Sequence, residues 1–326
     1  MMDYSTQFEL AFAELYGVSY ALAMSSGTSA YLTALLALGL GAEREVLVPA
    51  YAWPQLLAAP AALGCRVRMV DCDENGRMSE DAVARSLGRR TGAIIVCHLF
   101  GNPVNVCEIV RMAARAGVPV IEDCSQSLLA SQHGRLVGTW GDFGFASLGR
   151  GKALCAGEGG LLWTHRHDLY RTAFHFSQHP DRAPRSVSRG ECLVRSLSLR
   201  IHPSGARAAL RDLNTLRSRV LSMSAHHEEL RVLIRDAPGV RIVTTRDDVA
   251  PAWQHFPLLV DPGIAEQLQG LLWDKQPAYL LSRSRNVPRA RAFAGRVRFI
   301  ETGRKWENVP ARTIEKIAGR IAAARA

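Results

Sequence analysis

Lysine is scarce in this chain, and one lysine stands apart. Of the 40 Lys and Arg residues only four are lysines, at positions 152, 275, 305 and 316; every other basic position ahead of Lys275 is arginine except Lys152. A GC-rich coding sequence produces such a bias by converting lysine to arginine wherever a positive charge alone is wanted. A desolvated lysine can do what arginine cannot: it loses its proton near neutrality, and the neutral amine attacks a carbonyl. Lys152 also lies among Gly149, Gly151, Ala153, Ala156, Gly157, Gly159 and Gly160, small residues that let a flat ligand approach the backbone. Chance retention is one reading of Lys152, and a Schiff-base lysine is the other and the one adopted here.

Three further stretches hold residues that could serve such a lysine. SSGTSA (25–30) lies between an apolar strand-like run and an apolar helix. Its hydroxyls and the first N–H groups of that helix could cradle a phosphate, or the stretch could simply be an ordinary N-cap. Glu122 and Asp123 follow the apolar run VPVI. An acid there is a cap or structural partner; alternatively Asp123, if near the lysine, keeps a pyridine nitrogen protonated and makes that ring an electron sink. Trp53, just past another apolar run, could stack on a flat ring or simply pack. His98 at the same level reads as structural. No GxGxxG follows a strand, GRGKA lacks phosphate-loop spacing, no GxSxG occurs, and His165 and His167 lack the glutamate of a zinc helix. Dinucleotide, P-loop, serine-hydrolase and zinc-protease readings therefore find no support.

The elements that must position these residues follow from periodicity. Helices are expected over 6–17, 53–64, 79–87 (with Ser79 as N-cap) and 106–117, and a turn followed by a helix over 25–41. Strands are expected over 18–24, 45–51, 65–73, 93–101, 143–149 and 159–164, and 118–127 begins as a further strand. This alternation predicts an α/β fold with a mostly parallel central sheet covered on both faces. Ligands of such sheets bind at the carboxyl ends of the strands. Residues 25–29, 51–53, 98–101, 123–126 and the Lys152 loop thus share one edge. Beyond about residue 166 the rhythm breaks. Residues 175–191 read as an exposed, arginine-rich loop or partly ordered segment, 206–234 as one long helix, and the remainder as short strands (VRIVTT, HFPLLV, VRFIET) and a closing helix. The expected division is a large α/β domain over 1–215 and a small α+β domain over 216–326.

Composition narrows the class. At 326 residues, 48% hydrophobic and 21% charged, the chain suits a large and a smaller globular domain. No apolar run reaches the roughly 18–20 residues needed to span a bilayer, and the opening segment lacks the basic and apolar regions of a signal peptide. Seven scattered cysteines without a CxxC pair suggest reduced thiols in the cytoplasm, and argue against a disulfide framework or zinc site. A formal charge of +10 suits an anionic small-molecule substrate and weak nucleic-acid binding alike.

Taken in order, FELAFAELYGVSYALAMSSGTSA, EVLVPAYAWPQ, HLFGNPVNVCEI, VIEDCSQS, GDFGFASLGRGK and GEGGLL resemble the DegT/StrS-type aminotransferases. These are pyridoxal 5'-phosphate (PLP) enzymes of fold type I, the aspartate aminotransferase fold, that aminate keto-sugars and keto-cyclitols. The resemblance runs from about Phe8 to Ala209. It implies that Gly27, Thr28 and Ser29 hold the cofactor phosphate with Ser147, that Trp53 stacks on the ring, and that Asp123 pairs with its nitrogen. Gln126 would hydrogen-bond within the cofactor pocket. Lys152 would hold the cofactor as a Schiff base and then shuttle the proton. The implied protein is a cytoplasmic homodimer with shared active sites, acting on an amino donor and a keto acceptor in specialised-sugar or antibiotic biosynthesis, with no nucleic acid or membrane partner and no metal. Two departures are visible. SLGRGKA replaces the usual SFxPxKN, which adds Arg150 beside the lysine. SLSLRIHP replaces GYNYR, so Ser198 stands where an asparagine reaches the neighbouring subunit's phosphate. Both ends are short, with residues 240–326 compressed. Two alternatives stay open: other carbanion chemistry, such as elimination or dehydration, on an amino-acid-like substrate, and a non-catalytic ligand-binding relative.

Overall fold

The computed structural model describes residues 3–267, 287–300 and 311–323. Its centre is a seven-stranded sheet in the order β1-β9-β8-β5-β4-β2-β3. The strands are β1 (Tyr20–Met24), β2 (Glu45–Pro49), β3 (Arg66–Val70), β4 (Thr91–Cys97), β5 (Val120–Asp123), β8 (Phe143–Ser147) and β9 (Gly160–Thr164). β8, β5, β4, β2 and β3 run parallel, and β9 is antiparallel to both β1 and β8. All seven residues of β4 are buried, as expected of a central strand covered on both faces. Edge strand β3 instead turns Arg66 and Arg68 outward and leaves Val67 and Met69 half-buried.

Alternation along the strands sorts side chains between two helical layers. Val46, Val48, Ile95, Ile121, Phe143, Phe145 and Leu162 pack against α2 (Gly27–Ala37), α3 (Gln55–Ala62) and α6 (His167–Ser177). Their neighbours Leu47, Ile94, Val96 and Val120 face α4 (Glu80–Ser86) and α5 (Val106–Arg115). Ala146, Leu161 and Trp163 face α1 (Tyr4–Tyr16) and α8 (Pro203–Leu213). α1 begins where Asp3 accepts the Thr6 N–H (2.9 Å) and ends at Gly17 in the left-handed conformation, φ 65°. Its buried stripe is Phe8, Phe12 and Tyr16, each a turn apart. Full burial of such a side chain stabilises by about 1.5–3 kcal/mol.

A second sheet, β10 (Val240–Ile242), β12 (Phe256–Val260) and β13 (Val297–Ile300), is antiparallel in the order β10-β12-β13. It packs on α9 (Leu216–Ile234) and on helix Ala311–Ala323 through Leu230, Ile234, Leu258, Ile300 and Ile321. A third small sheet pairs β11 (Val249–Ala250) with β6 (Ser131–Gln132), which turns back as β7 (Arg135–Leu136). The second sheet meets the carboxyl edge of the first through Tyr51, Phe100, Trp253, Phe293 and Phe299. Gly101 makes that meeting possible. At φ 93°, it would place a Cβ only 1.9 Å from the Ala252 carbonyl oxygen.

The sequence reading is corrected in two places beyond β9. Residues 175–191 are not an exposed loop: α6 continues to Ser177, a 3₁₀ turn covers Pro180–Arg182, and α7 spans Arg189–Arg195. Ser177, Gln178 and Val187 are buried there. The single helix expected over 206–234 is two, α8 and α9, broken at Asn214 and Thr215. The expected strand end at 301–302 and the last three residues of the closing helix lie outside the described residues. No described helix is long and apolar enough to cross a membrane.

Candidate active site

A cavity of about 640 Å³ opens at the carboxyl ends of the parallel strands, and the second sheet forms one of its walls. Of the residues singled out from sequence, Gly27, Thr28, Trp53, Asp123, Gln126, Ser147 and Lys152 line it, and Arg150 with them. Ser29 and Ser198 do not.

The N-terminus of α2 forms its anion-facing side. Ser26 caps the helix by accepting the Ser29 N–H (3.0 Å), and Ser29 Oγ accepts the Ser26 N–H in return (2.9 Å). That reciprocal box engages both the amide and the hydroxyl of Ser29, which is why Ser29 is buried and turned from the cavity. The Gly27 and Thr28 N–H groups, orphans of the first turn, make no hydrogen bond within the described chain. Opposite them stands Ser147, whose hydroxyl accepts the Gly149 N–H (3.3 Å) and retains its own proton to donate. A Cβ at Gly27 would meet the Ser147 Cβ at 2.9 Å and its Cα at 3.0 Å, so only glycine lets the helix end and β8 approach this closely. Two free amides, two hydroxyls and the positive end of a helix dipole fit a phosphate.

Asp123 ends β5 and is 7% exposed. Its Oδ1 accepts the Ser125 N–H (2.9 Å) and its Oδ2 the Cys97 thiol (3.7 Å). Cys97 ends β4 directly opposite, paired with Asp123 in the register. Burial, and then the Asp123 charge, push the Cys97 thiol well above its ordinary range, so it stays protonated and donates; the Lys152 charge acts on the same thiol in the opposite sense. Lys152 and Asp123 line the same cavity, which spacing alone could not establish. Neighbouring Glu122 points to the other face of the sheet. It accepts N–H groups from Gly138 (2.7 Å), Trp140 (2.8 Å) and Gly141 (2.8 Å). His98 sits against it, Nε2 to Oε2 3.2 Å, while His98 Nδ1 accepts the Val104 N–H. His98 is structural, as its position suggested.

Gln126 Oε1 accepts the Phe100 N–H (2.7 Å), which fixes the amide and leaves its NH₂ as the donor. Phe100 itself sits at φ 61°, a strained conformation for a bulky residue. Its carbonyl accepts the Gln254 N–H (2.9 Å) from the segment leading into the second sheet. Trp53 stands 56% exposed at the cavity wall. Tyr31 stacks on Phe145 (5.3 Å, 11° between planes), and its buried hydroxyl has no hydrogen-bond partner among the described residues. Lys152 rides a loop whose turn at Gly149 is closed by the Lys152 N–H (3.2 Å). Arg150 is exposed and pairs with no acid among the described residues.

Ser198 lies outside this wall, exposed, at φ 53°. Its neighbours tie the segment to β1, since the Leu199 carbonyl accepts the Ser25 N–H (2.7 Å) and Arg200 bridges to Met24. Sequence reasoning missed Cys97, Ser125 and Tyr31 on the cavity wall. Aligning strand ends would have found Cys97, which shares a register position with Asp123. Gln254, His255 and Phe299, also on the wall, carry no local signal, because they arrive from more than a hundred residues away in the chain.

Known proteins share the family and the fold of this chain. A model of the DegT/DnrJ/EryC1/StrS aminotransferase family matches residues 1–278. GDP-perosamine synthase of Escherichia coli O157:H7 is 36% identical over 175 residues, 53% of this chain and 48% of that protein. Protein MosB of Rhizobium meliloti is 30% identical over 267 residues, 78% of this chain and 53% of that one. The matches thus span about half the length of these curated relatives. The crystal structure of 3-amino-5-hydroxybenzoic acid synthase superposes with a TM-score of 0.88 at 23% identity, covering 100% of this chain and 92% of that one. The fold is fold type I of the PLP-dependent transferases, as expected.

Proposed function

The chain belongs to the DegT/DnrJ/EryC1/StrS aminotransferase family, and from that premise we propose that it binds PLP and transfers an amino group from glutamate or glutamine to the ketone of a sugar nucleotide or cyclitol. One observation carries the proposal: Lys152, Asp123 and the open N-terminus of α2 line a single cavity. Bound there, PLP supplies an electron sink that eases loss of a proton from the carbon bearing the amino group.

The chain's own residues would divide the remaining work. The Gly27 and Thr28 amides and the Ser147 hydroxyl hold the phosphate; Ser29 serves them indirectly by fixing the cap. Asp123 lies nearly buried with one N–H and one thiol on its oxygens, which leaves it capacity to accept from a ring nitrogen. The Gln126 NH₂ donates into the pocket, and Trp53 covers the ring. Lys152 Nζ would hold the cofactor covalently, and the same amine would serve as the base that removes the proton from the amino-bearing carbon of the donor. Arg150 adds a fixed positive charge for an anionic group of the donor or acceptor.

The homodimer belongs to the same proposal. Ser198 is exposed beside Leu193 (72%), Val194 (88%) and Leu197 (54%), and an apolar face of this kind suits a second copy. We assign the large domain to 1–215 and the small one to 216–326, and we place the reaction in the cytoplasm because all seven cysteines are free thiols.

An absorbance spectrum of the purified protein, before and after borohydride reduction, tests the proposal when followed by peptide mapping. A visible band converted to a stable pyridoxyl adduct on Lys152 is expected. A colourless protein that PLP cannot reconstitute would leave the non-catalytic alternative standing.

A further inference from the structure

Lys152 sits on a loop between β8 and β9 that has no regular secondary structure of its own. Two side chains from distant helices grip the residues that follow it. Arg219, on α9, donates from Nη1 to the Ala153 carbonyl (2.6 Å). Asp212, in the last turn of α8, accepts the Cys155 N–H on Oδ2 (2.8 Å). The two also bind each other in a fork, Nη2 to Oδ1 at 3.1 Å and Nη1 to Oδ2 at 3.2 Å, and Nη2 reaches Thr215 Oγ1 at 2.7 Å. Arg219 is 3% exposed, and no other arginine among the described residues is buried.

This arrangement is an expensive way to hold a fold together. A buried ion pair contributes little net stability over an apolar pair of the same size, and an acid in the last turn of a helix opposes the helix dipole. What it supplies is direction. Each partner turns one edge toward the other and one edge toward a peptide group of the loop, so the loop backbone is fixed in register with α8 and α9.

We infer that Asp212 and Arg219 form a positioning clamp that sets where the Lys152 amine stands in the cavity. The inference rests on the reading of Lys152 as the reactive amine. The clamp acts through the Ala153 and Cys155 peptides and touches no reacting atom.

The test compares the wild-type protein with the double variant Asp212→Leu/Arg219→Met, in which neither charge is left unpaired, and with Asp212→Asn, which keeps an acceptor for Cys155. Hydrogen exchange is followed on peptides covering 149–157 and on peptides from β5 and β9, together with the rate at which PLP and borohydride label Lys152. In the double variant the loop should exchange roughly tenfold faster while β5 and β9 keep their protection. Labelling should slow by about tenfold, the loss expected if the amine is misplaced by a fraction of an ångström to an ångström. Asp212→Asn should fall between. Wild-type exchange in the loop, or an equal rise across the whole sheet, would overturn the clamp. If the double variant does not fold, the loop exchange of Asp212→Asn decides alone. A wild-type protein that never labels at Lys152 would defeat the cofactor reading, and the exchange data would still decide the clamp.

Discussion

Gly27→Ala is the most searching perturbation of the proposed phosphate seat, because two effects of opposite sign meet there. Gly27 opens α2, and by helix propensity alone alanine would stabilise by up to about 1 kcal/mol. The new Cβ would lie 2.9 Å from the Ser147 Cβ, 3.0 Å from its Cα and 3.2 Å from its nitrogen. Two of those three atoms are backbone of a central strand and cannot rotate away. Carbon atoms prefer about 3.5–4.0 Å, so α2 and β8 must part by roughly 0.6 Å. Overpacking of that size costs about 1–3 kcal/mol, which outweighs the propensity gain. The displacement also carries the two free amides away from the Ser147 hydroxyl. A loss of about 1.4–2.8 kcal/mol in PLP binding follows, a Kd raised roughly 10- to 100-fold. Titration of the apoprotein with PLP by absorbance measures it, with Gly41→Ala as control, since a Cβ at Gly41 meets nothing within 4 Å. Wild-type affinity in Gly27→Ala would refute the seat.

Other perturbations separate the remaining roles. Lys152→Ala should fold and still bind PLP noncovalently, yet give no borohydride-stable adduct and lose turnover by at least about 10²–10⁴-fold, read by coupled assay and mass spectrometry. Arg150→Ala should raise KM for whichever substrate carries the anion by roughly tenfold, the size of one charge-assisted contact, with kcat little changed. Burial holds the His227 imidazole down to about 3, with Arg231 adding to it, while the ring stacks on Trp253 at 3.9 Å. The unfolded chain takes up that proton near the ordinary histidine value and the folded one only far below it. Stability from this site is therefore present above about pH 6.5 and is lost as pH falls from there toward 3, with a slope of up to about 1.4 kcal/mol per pH unit. His227→Phe should flatten this dependence in thermal melts taken across that range, and an unaltered slope would count against it.

How far the sequence carried depended on how local each signal was. The buried runs of β5 and β9, the Gly17 stop of α1 and the Ser79 cap of α4 are each settled within a few residues and appear close to where the pattern put them. The strand expected over 93–101 instead stops at Cys97, and Leu99–Gly101 form a 3₁₀ turn. Lys152 was legible because arginine surrounds it. The segment 175–191 was not, because its Arg, Pro and Ser content imitates solvent-exposed loop. Its polar groups find partners more than 150 residues away: Arg182 pairs with Glu9 (2.7 Å), and the Gln178 amide donates to the Ala23 carbonyl. Polar residues enter a core when they are paired, and no window of sequence contains both members of such a pair. The break between α8 and α9 failed for a related reason. Asn214 and Thr215 interrupt an otherwise continuous helical pattern, and the turn there brings Asp212 beside Arg219.

The two adjacent carboxylates of β5 show how alternation along a strand separates fold from chemistry. Glu122, fully buried, accepts three backbone N–H groups and faces His98. Asp123, one residue on and therefore on the opposite face, is held by one amide and one thiol and opens on the cavity. Replacing each by its amide should break different things. In Glu122→Gln an NH₂ must confront a backbone donor, and at least one buried N–H is left unpaired at a cost of about 1–3 kcal/mol. The melting temperature should fall while PLP affinity changes little. In Asp123→Asn the Ser125 contact can persist on the amide oxygen, so the fold should melt near the wild-type temperature. The neutral side chain no longer favours a protonated ring nitrogen, so turnover should drop by roughly 10²-fold or more. Melting curves and single-turnover rates for the two variants decide the matter. A thermal loss in Asp123→Asn together with a purely catalytic loss in Glu122→Gln would exchange the two roles and remove Asp123 from the site.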